Sequence, residues 1–146
     1  MVYRGITLIH SGKVFSPAVK HPYLEGYFNN FNHAPNLLNL GDGNCFAAWF
    51  SGPWEGHPFQ AILLSRLERG KWTKPSVFQN TQGLSDFDPA FVRSGSRIFL
   101  FYSNARWFAP QLHGEKSGAL GTYYKRSDNG GRSWSKPYLL SEYHLC

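Results

Sequence analysis

The segment Ser127-Asp128-Asn129-Gly130-Gly131-Arg132-Ser133-Trp134 sets the architecture predicted for this chain. It follows a strand-like run, residues 118–126, and leads into another that begins at Trp134. Glycine accepts positive φ values, and Ser, Asp and Asn side chains bond nearby backbone amides, so the segment predicts the turn of an antiparallel hairpin. We expect its polar side chains to satisfy the turn amides and Trp134 to pack between sheets.

The composition favours strands over helices. The 146 residues include 12 Phe, 8 Tyr and 5 Trp, and 15 Gly and 9 Pro separate short apolar runs. Aromatic residues are enriched in strands, whereas Gly and Pro mark turns. A chain of this length can bury a core of its own. We therefore predict an all-β fold.

Two rounds of four predicted strands follow each other along the chain. The first round occupies residues 35–40, 45–50, 59–66 and 72–78, and the second occupies residues 88–93, 97–102, 118–126 and 134–140. Trp72-Thr73-Lys74-Pro75 and Trp134-Ser135-Lys136-Pro137 open the last strand of each round, 62 residues apart from 72 to 134. Four-stranded antiparallel units in series are typical of β-propeller blades.

The sequence thus predicts a partial β-propeller of about two four-stranded antiparallel blades. The first blade is expected at residues 29–80 and the second, which contains the 127–134 turn, at residues 81–146. Residues 1–28 are predicted to form an irregular segment with one possible strand at residues 6–10.

Residues 127–134 resemble the Asp-box, Ser-x-Asp-x-Gly-x-Thr/Ser-Trp, of bacterial neuraminidase (BNR) repeats. Ser127, Gly131, Ser133 and Trp134 match this pattern, and Asn129 stands in the place of the Asp. Five further segments look like the ordered motifs of the sialidase-like BNR-repeat family: residues 33–38, 47–52, 55–56, 88–89 and 98–102. The resemblance covers residues 31 to 140. It implies a glycan-directed protein, with glycoside hydrolysis as the reaction if the protein is catalytic.

The resemblance also implies where the chemistry lies. In the family the box is at the rim, so the site is expected at the opposite end, which carries the start of each first strand and the loop between the second and third strands. The expected catalytic residues are Glu55, His33 and His57, and the expected substrate-binding residues are Trp54, Asp88, Arg106 and Trp107, with Asp86 at the same strand start. Glu55 is roughly where sialidases keep their acid/base carboxylate, the histidines titrate near neutral pH, and the tryptophans can stack on sugar faces.

Several of these residues also have a structural interpretation. Glu55 can be an exposed loop carboxylate, His57 a turn residue before Pro58, and Asp88 a group that fixes the start of a strand through backbone amides. His33 replaces the arginine that grips the sugar carboxylate in true sialidases. An imidazole cannot make the bidentate contact of a guanidinium, so sialidase activity is not expected.

Two rival functions stay open. One is a His-based polysaccharide lyase, in which His33 or His57 takes the proton. The other is a non-catalytic carbohydrate-binding or self-associating module. Because two blades cannot close a ring, we expect either a piece of a longer propeller or self-association, for instance a homotrimer that forms a six-bladed ring.

Charge and composition limit the partners. The net charge of +6 and the pI near 9.5 favour acidic partners such as anionic glycans, nucleic acid or lipid surfaces. Of these we expect a carbohydrate, which can be anionic. The basic residues form no run of the kind that binds nucleic acid, and no short-spaced ligand pair or motif predicts a metal or a cofactor. Cys45 and Cys146 do not make a disulfide framework, and Cys45 is expected to be a buried apolar residue. The sequence predicts no signal peptide, no transmembrane segment and no membrane partner; a cytoplasmic location is a default, and the compartment stays open.

Overall fold

The computed structural model describes residue 14 and residues 31–106 and 118–143. Every regular element in these ranges is a β-strand, which confirms the all-β prediction. The strand predicted at residues 6–10 lies outside the described residues, as does Cys146. Among the residues that are described, no helix is long and apolar enough to cross a membrane.

The first sheet contains five strands. They are β1 (Phe31–Gly41), β2 (Asn44–Gly52), β3 (Ala61–Glu68), β4 (Lys71–Trp72) and β5 (Ser76–Gln79). The order is β1-β2-β3-β4, and β5 also pairs with β3. Gly41, Asp42 and Gly43 all have positive φ in the β1–β2 turn, which is the conformation that the Gly-Asp-Gly-Asn sequence favours.

The second sheet is an antiparallel meander of four strands. They are β6 (Ser85–Ser94), β7 (Arg97–Arg106), β8 (Gly118–Ser127) and β9 (Tyr138–Ser141), and they follow in the order β6-β7-β8-β9. The two rounds of strands predicted from the sequence therefore form two separate antiparallel sheets.

The last strand of each round is shorter than predicted. In the first sheet residues 72–78 divide into β4 and β5, and in the second only residues 138–141 form β9. The cause is the same in both sheets: Thr73 donates its backbone N–H to the Arg66 carbonyl, and its hydroxyl accepts from the Arg66 amide. Ser135 makes the same two bonds with Arg126. A Lys-Pro pair follows each of them, and because proline has no N–H the ladder stops there.

Two other boundaries differ from the prediction. Strand β3 begins at Ala61 instead of residue 59, because the Gln60 amide donates to the His57 carbonyl and closes a turn. Strand β7 continues to Arg106, four residues beyond its predicted end at residue 102.

The core forms where one face of the first sheet packs on the second. Side chains from β2 and β3 meet side chains from β6 and β7, and all of them are buried: Ala48, Phe50, Ile62, Phe87, Leu100 and Tyr102. Cys45 is also buried, as predicted. On the other face of the first sheet, Trp49 and Leu63 form a smaller cluster against which Val14 packs.

The 127–134 turn joins the two sheets. The Ser127 hydroxyl accepts from the Gly131 amide at 2.8 Å, and the Asn129 side chain accepts from the Ser133 amide at 3.0 Å. Trp134 then packs on Phe46 of β2 and, edge to face, on Phe78 of β5. Both roles expected for this segment are confirmed, and Asn129 bonds the turn amide from the position that an Asp has in the box.

We predict that Gly131→Ala destabilises the fold much more than Gly130→Ala. Both glycines have positive φ, so each substitution carries the same backbone cost of about 1 kcal/mol. A Cβ on Gly131 would overlap the buried Phe46 ring, whereas one on Gly130 meets nothing within 4 Å. Overpacking of this kind costs a further ~1–3 kcal/mol, which urea denaturation measures. Equal losses in the two variants would contradict the packing role of this turn.

Candidate functional site

Both sheets place their candidate residues at one end, opposite the 127–134 turn. In the first sheet this end carries the start of β1 and the loop 53–60, with Phe31 paired to Gly52. In the second it carries the start of β6 and the end of β7, with Ser85 paired to Ala105. We call this the site end.

A bulge interrupts the first strand of each sheet near the site end. In β1 it lies between His33 and Asn36, and in β6 between Phe87 and Ala90. Ala34 and Asp88 occupy equivalent positions in these bulges, with φ of 49° and 50°. A left-handed conformation is unfavourable for a residue with a side chain, and each of these two also precedes a proline. Strain of this kind persists only where the surrounding structure holds it.

The two bulges border a cleft of about 480 Å³, which we call the Asp88 cleft. It is lined by residues 34–36 of β1, residues 88–90 of β6, residues 101–103 of β7, and Thr122 of β8. Asp88 is half-buried and has no hydrogen-bond or ion-pair partner among the described residues. The role of Asp88 as a group that fixes backbone amides is therefore not seen in the described part of the chain.

Polar and aromatic side chains form the rest of the Asp88 cleft. The Ser103 and Thr122 hydroxyls lie 3.2 Å apart, and Thr122 donates to the Tyr143 carbonyl at 2.7 Å. The Asn36 side chain accepts from the Phe91 amide at 3.0 Å, so that it joins β1 to β6. Phe101 presents an aromatic ring to the cleft. This combination can bind a ligand that has hydroxyl groups and an apolar face.

Asp86 is the buried counterpart of Asp88. Its carboxylate is fully buried and accepts from the Thr81 amide at 2.7 Å and from the Thr81 hydroxyl at 2.8 Å. Burial raises the pKa of Asp86 to about 7, although the Thr81 hydrogen bonds and the charge of Lys125 oppose that rise. Burial also lowers the pKa of Lys125, and burial together with the Asp86 charge raises that of Tyr102. Asp86 thus supports the loop that precedes β6 and does not reach solvent.

The loop 53–60 is fixed to β6 by buried hydrogen bonds. The Gln60 side-chain amide donates to the Asp86 carbonyl at 2.8 Å, and its oxygen accepts from the Gly56 amide at 2.8 Å. The Ser85 hydroxyl donates to the His57 carbonyl at 2.9 Å. These bonds tie the loop of the first sheet to the first strand of the second.

Within this loop the structure brings Trp54 and His57 together. Their rings lie 4.2 Å apart, edge to face. His57 is buried, burial lowers its pKa, and its Nδ1 accepts from the Phe59 amide at 3.0 Å. Such a histidine is a turn residue, and a role as proton acceptor at Nδ1 would require that bond to break. Trp54 and Glu55 are exposed at the surface of the loop.

His33 lies apart from the Asp88 cleft. Its ring contacts Phe31 at 5.7 Å and Phe50 at 5.5 Å, and it lines a separate cavity of about 210 Å³ together with Val14 and Trp49. Arg106 is exposed at the end of β7 and does not line the Asp88 cleft, and Trp107 lies outside the described residues. Within the described ranges, no three His, Cys, Asp or Glu side chains meet as a metal site would require.

Sequence reasoning missed the residues that organise this end. Gln60 and Lys125 have no motif, because a polar side chain that the fold covers has the same appearance in sequence as one on the surface. The pair Asp86 and Asp88 is the feature of the sequence that indicates this end of the sheet, since two acidic residues at the start of an apolar strand are unusual. Only their surroundings separate the buried carboxylate from the accessible one.

Comparison with known proteins gives a family and a fold. Residues 43–144 match the family of BNR repeat-like domains. A crystal structure of a protein of unknown function from Dyadobacter fermentans DSM 18053 is similar, with a TM-score of 0.60 and 18% identity over 73% of this chain. This chain spans 35% of that one, and at this identity the likeness concerns the fold alone. No curated protein matches the chain.

We predict that Asp86→Asn changes how stability depends on pH. The folded-state pKa of about 7 lies above the usual 3.8, so between these values the native state holds a proton that the unfolded chain has lost. As the pH rises through this window, the free energy of unfolding of the wild type should therefore fall. Asp86→Asn should not show this fall.

Urea denaturation at several values between about pH 4 and pH 8 measures this slope. Asp42→Asn, at an exposed turn, is the matched control and should follow the wild-type profile. Parallel profiles for Asp86→Asn and the wild type would contradict the assignment.

Proposed function

The chain belongs to the family of BNR repeat-like domains, and from this membership we propose that it is a glycan-binding, sialidase-like module of the propeller type. The sugar binds in the Asp88 cleft. The observation that carries the proposal is this cleft, in which a carboxylate without a partner in the described ranges, two hydroxyls and an aromatic ring lie together.

The chemistry of the lining suits a sugar. A pyranose has a polar rim of hydroxyls and an apolar face of C–H groups. The Asp88 carboxylate can accept from sugar hydroxyls in charge-assisted hydrogen bonds. The Thr122 hydroxyl donates to the Tyr143 carbonyl, and the Ser103 hydroxyl can then donate to Thr122, so these two oxygens offer acceptor positions to sugar hydroxyls. The Phe101 ring supplies the apolar surface. The volume of about 480 Å³ lies within the range of about 300–1,000 Å³ that is usual for small-molecule sites.

The rigidity of the site end supports binding. Asp88 lies two residues after Asp86, whose backbone makes two hydrogen bonds with Gln60. The Asp86 N–H donates to the Gln60 carbonyl, and the Asp86 carbonyl accepts from the Gln60 side-chain amide. Backbone held this way loses little conformational freedom when a ligand binds, so more of the interaction free energy appears as affinity.

The propeller architecture is part of the same proposal. Besides the family, it is supported by the apolar face of the second sheet outside the cleft, where Val92 and Tyr138 are each 49% exposed beside the rings of Phe99 and Tyr124. A further sheet would cover this part of the face. The homotrimer that closes a six-bladed ring stays a prediction, which light scattering tests through the molar mass.

We predict that Phe101→Ala weakens sugar binding while Phe99→Ala preserves it. The two rings lie 6.2 Å apart on the same face of the second sheet, but only Phe101 lines the cleft. Loss of the ring should reduce affinity at least about tenfold, which corresponds to ~1.4 kcal/mol. A glycan array identifies a ligand, and isothermal titration calorimetry then compares the variants, with near-UV circular dichroism to verify the fold. Equal affinity of both variants would remove Phe101 from the site.

Glycoside hydrolysis is the second candidate, and Glu55 is its acid/base carboxylate. It is favoured by the position of Glu55, an exposed carboxylate beside the exposed Trp54 in a loop that Gln60 and Ser85 hold in place. The lyase alternative would depend on His33, because Nδ1 of His57 already accepts a hydrogen bond.

We predict that, if a panel of glycosides reveals turnover, Glu55→Gln lowers kcat at least about a hundredfold, as loss of a general acid/base does. Glu68→Gln is the control, since Glu68 lies at the opposite end of β3 in an ion pair with Arg66. Turnover that survives in Glu55→Gln would exclude Glu55 from the mechanism.

A further inference from the structure

We infer that the Asp88 cleft selects uncharged glycans and discriminates against anionic ones such as uronates. This inference rests on the proposed function and names the ligand class of the same site. It runs against the expectation from the net charge of +6, which favours anionic ligands for the molecule as a whole.

The first step is the charge of the cleft. Of the ten residues that line it, Asp88 is the only charged one, and the others are apolar or carry neutral polar groups. A ligand in the cleft therefore meets one negative charge and, among the described residues, no positive charge. A sugar carboxylate placed there would face a like charge across a partly desolvated space.

The second step concerns Lys125 and three arginines of the second sheet, which contact groups outside the cleft. Lys125 donates to the Phe78 carbonyl at 2.8 Å and lies over the Phe78 ring, in the interface between the sheets. Arg93 donates to the carbonyls of Leu40 and Gly95, at the end opposite the site. Arg97 and Arg126 both pair with Asp128, which belongs to the 127–134 turn. None of these four cationic side chains lines the cleft.

The third step is the hydrogen-bonding state of Asp88. Its carboxylate is half-buried and has no donor among the described residues, and its backbone is held in a left-handed conformation ahead of Pro89. A partly desolvated carboxylate without donors is unfavourable, and a ligand that supplies hydroxyl donors relieves this. A uronate has one hydroxyl donor fewer than its neutral counterpart and adds a charge of the wrong sign.

The test compares matched pairs of oligosaccharides in gluco, galacto and manno configuration, each as the neutral sugar and as the corresponding uronate. Isothermal titration calorimetry at constant ionic strength gives the affinities. We expect at least one neutral sugar to bind about tenfold or more tightly than its uronate. Uronates that bind as tightly as, or more tightly than, every neutral partner would overturn the inference while leaving glycan binding intact.

Two variants separate local charge from net charge. Asp88→Asn removes the charge of the cleft and should narrow the gap between neutral sugar and uronate at least about threefold. Asp42→Asn makes the same chemical change at the end of the molecule opposite the site end. Asp42 has a φ of 52° and Asp88 a φ of 50°, so the backbone cost is matched. This control should leave the difference in affinity between neutral sugar and uronate unchanged. Asn tolerates this conformation well, so both variants are expected to fold.

The variants can also refute the inference. If Asp42→Asn narrows the gap as much as Asp88→Asn, selectivity comes from the overall field and not from the cleft. If no sugar of either kind binds the wild type, both the inference and the proposed function fail, which is a different result from tight binding of uronates.

Discussion

The packing of one face of the first sheet against the second is the constraint on which the rest of the structure depends. Small sheets are not stable until an apolar face is covered. Here Phe50 and Ile62 of the first sheet meet Leu100 and Tyr102 of the second, and Trp134 closes the far end of the interface against Phe46 and Phe78. Once these faces are joined, the strand ends and loops of both sheets are brought to one place.

The buried polar groups follow from that packing. Gln60, Ser85 and Asp86 are buried and Lys125 is half-buried where the two sheets meet, and such groups are costly unless they find partners inside the protein. They bond mainly to backbone, namely the His57, Phe78 and Asp86 carbonyls and the Gly56 and Thr81 amides. These hydrogen bonds offset the cost of burying the polar groups and fix the site end, where Asp88 lines the cleft. The two ends of the molecule thus differ: one packs Trp134 against both sheets, and the other holds the candidate site residues.

The surroundings of His33 and the charge of the Asp88 cleft both differ from what a sialidase site would require. His33, which the sequence resemblance puts in the place of the sialidase arginine, packs against the rings of Phe31 and Phe50 and does not line the Asp88 cleft. The cleft carries a carboxylate where recognition of an acidic sugar would require a cation. The cleft has a negative charge, whereas a site for sialic acid would have a positive one. This difference is consistent with a ligand class other than sialic acid, because ligand preference follows the side chains of a site and not the fold.

The sequence by itself determined the all-β class, the position of most strands, the turn at residues 127–134 and the two rounds of four strands. These follow from local physics: turn residues with positive φ, apolar runs, and Thr73 and Ser135 in equivalent places before a Lys-Pro pair. Only the tertiary structure decided which candidate residues meet. Bulges at Ala34 and Asp88 change the direction of the following side chains, and the fully buried state of Asp86 depends on Thr81, Gln60 and Lys125 arriving from other segments. Burial and charge environment are properties of contacts between distant residues, so no local pattern in the sequence contains them.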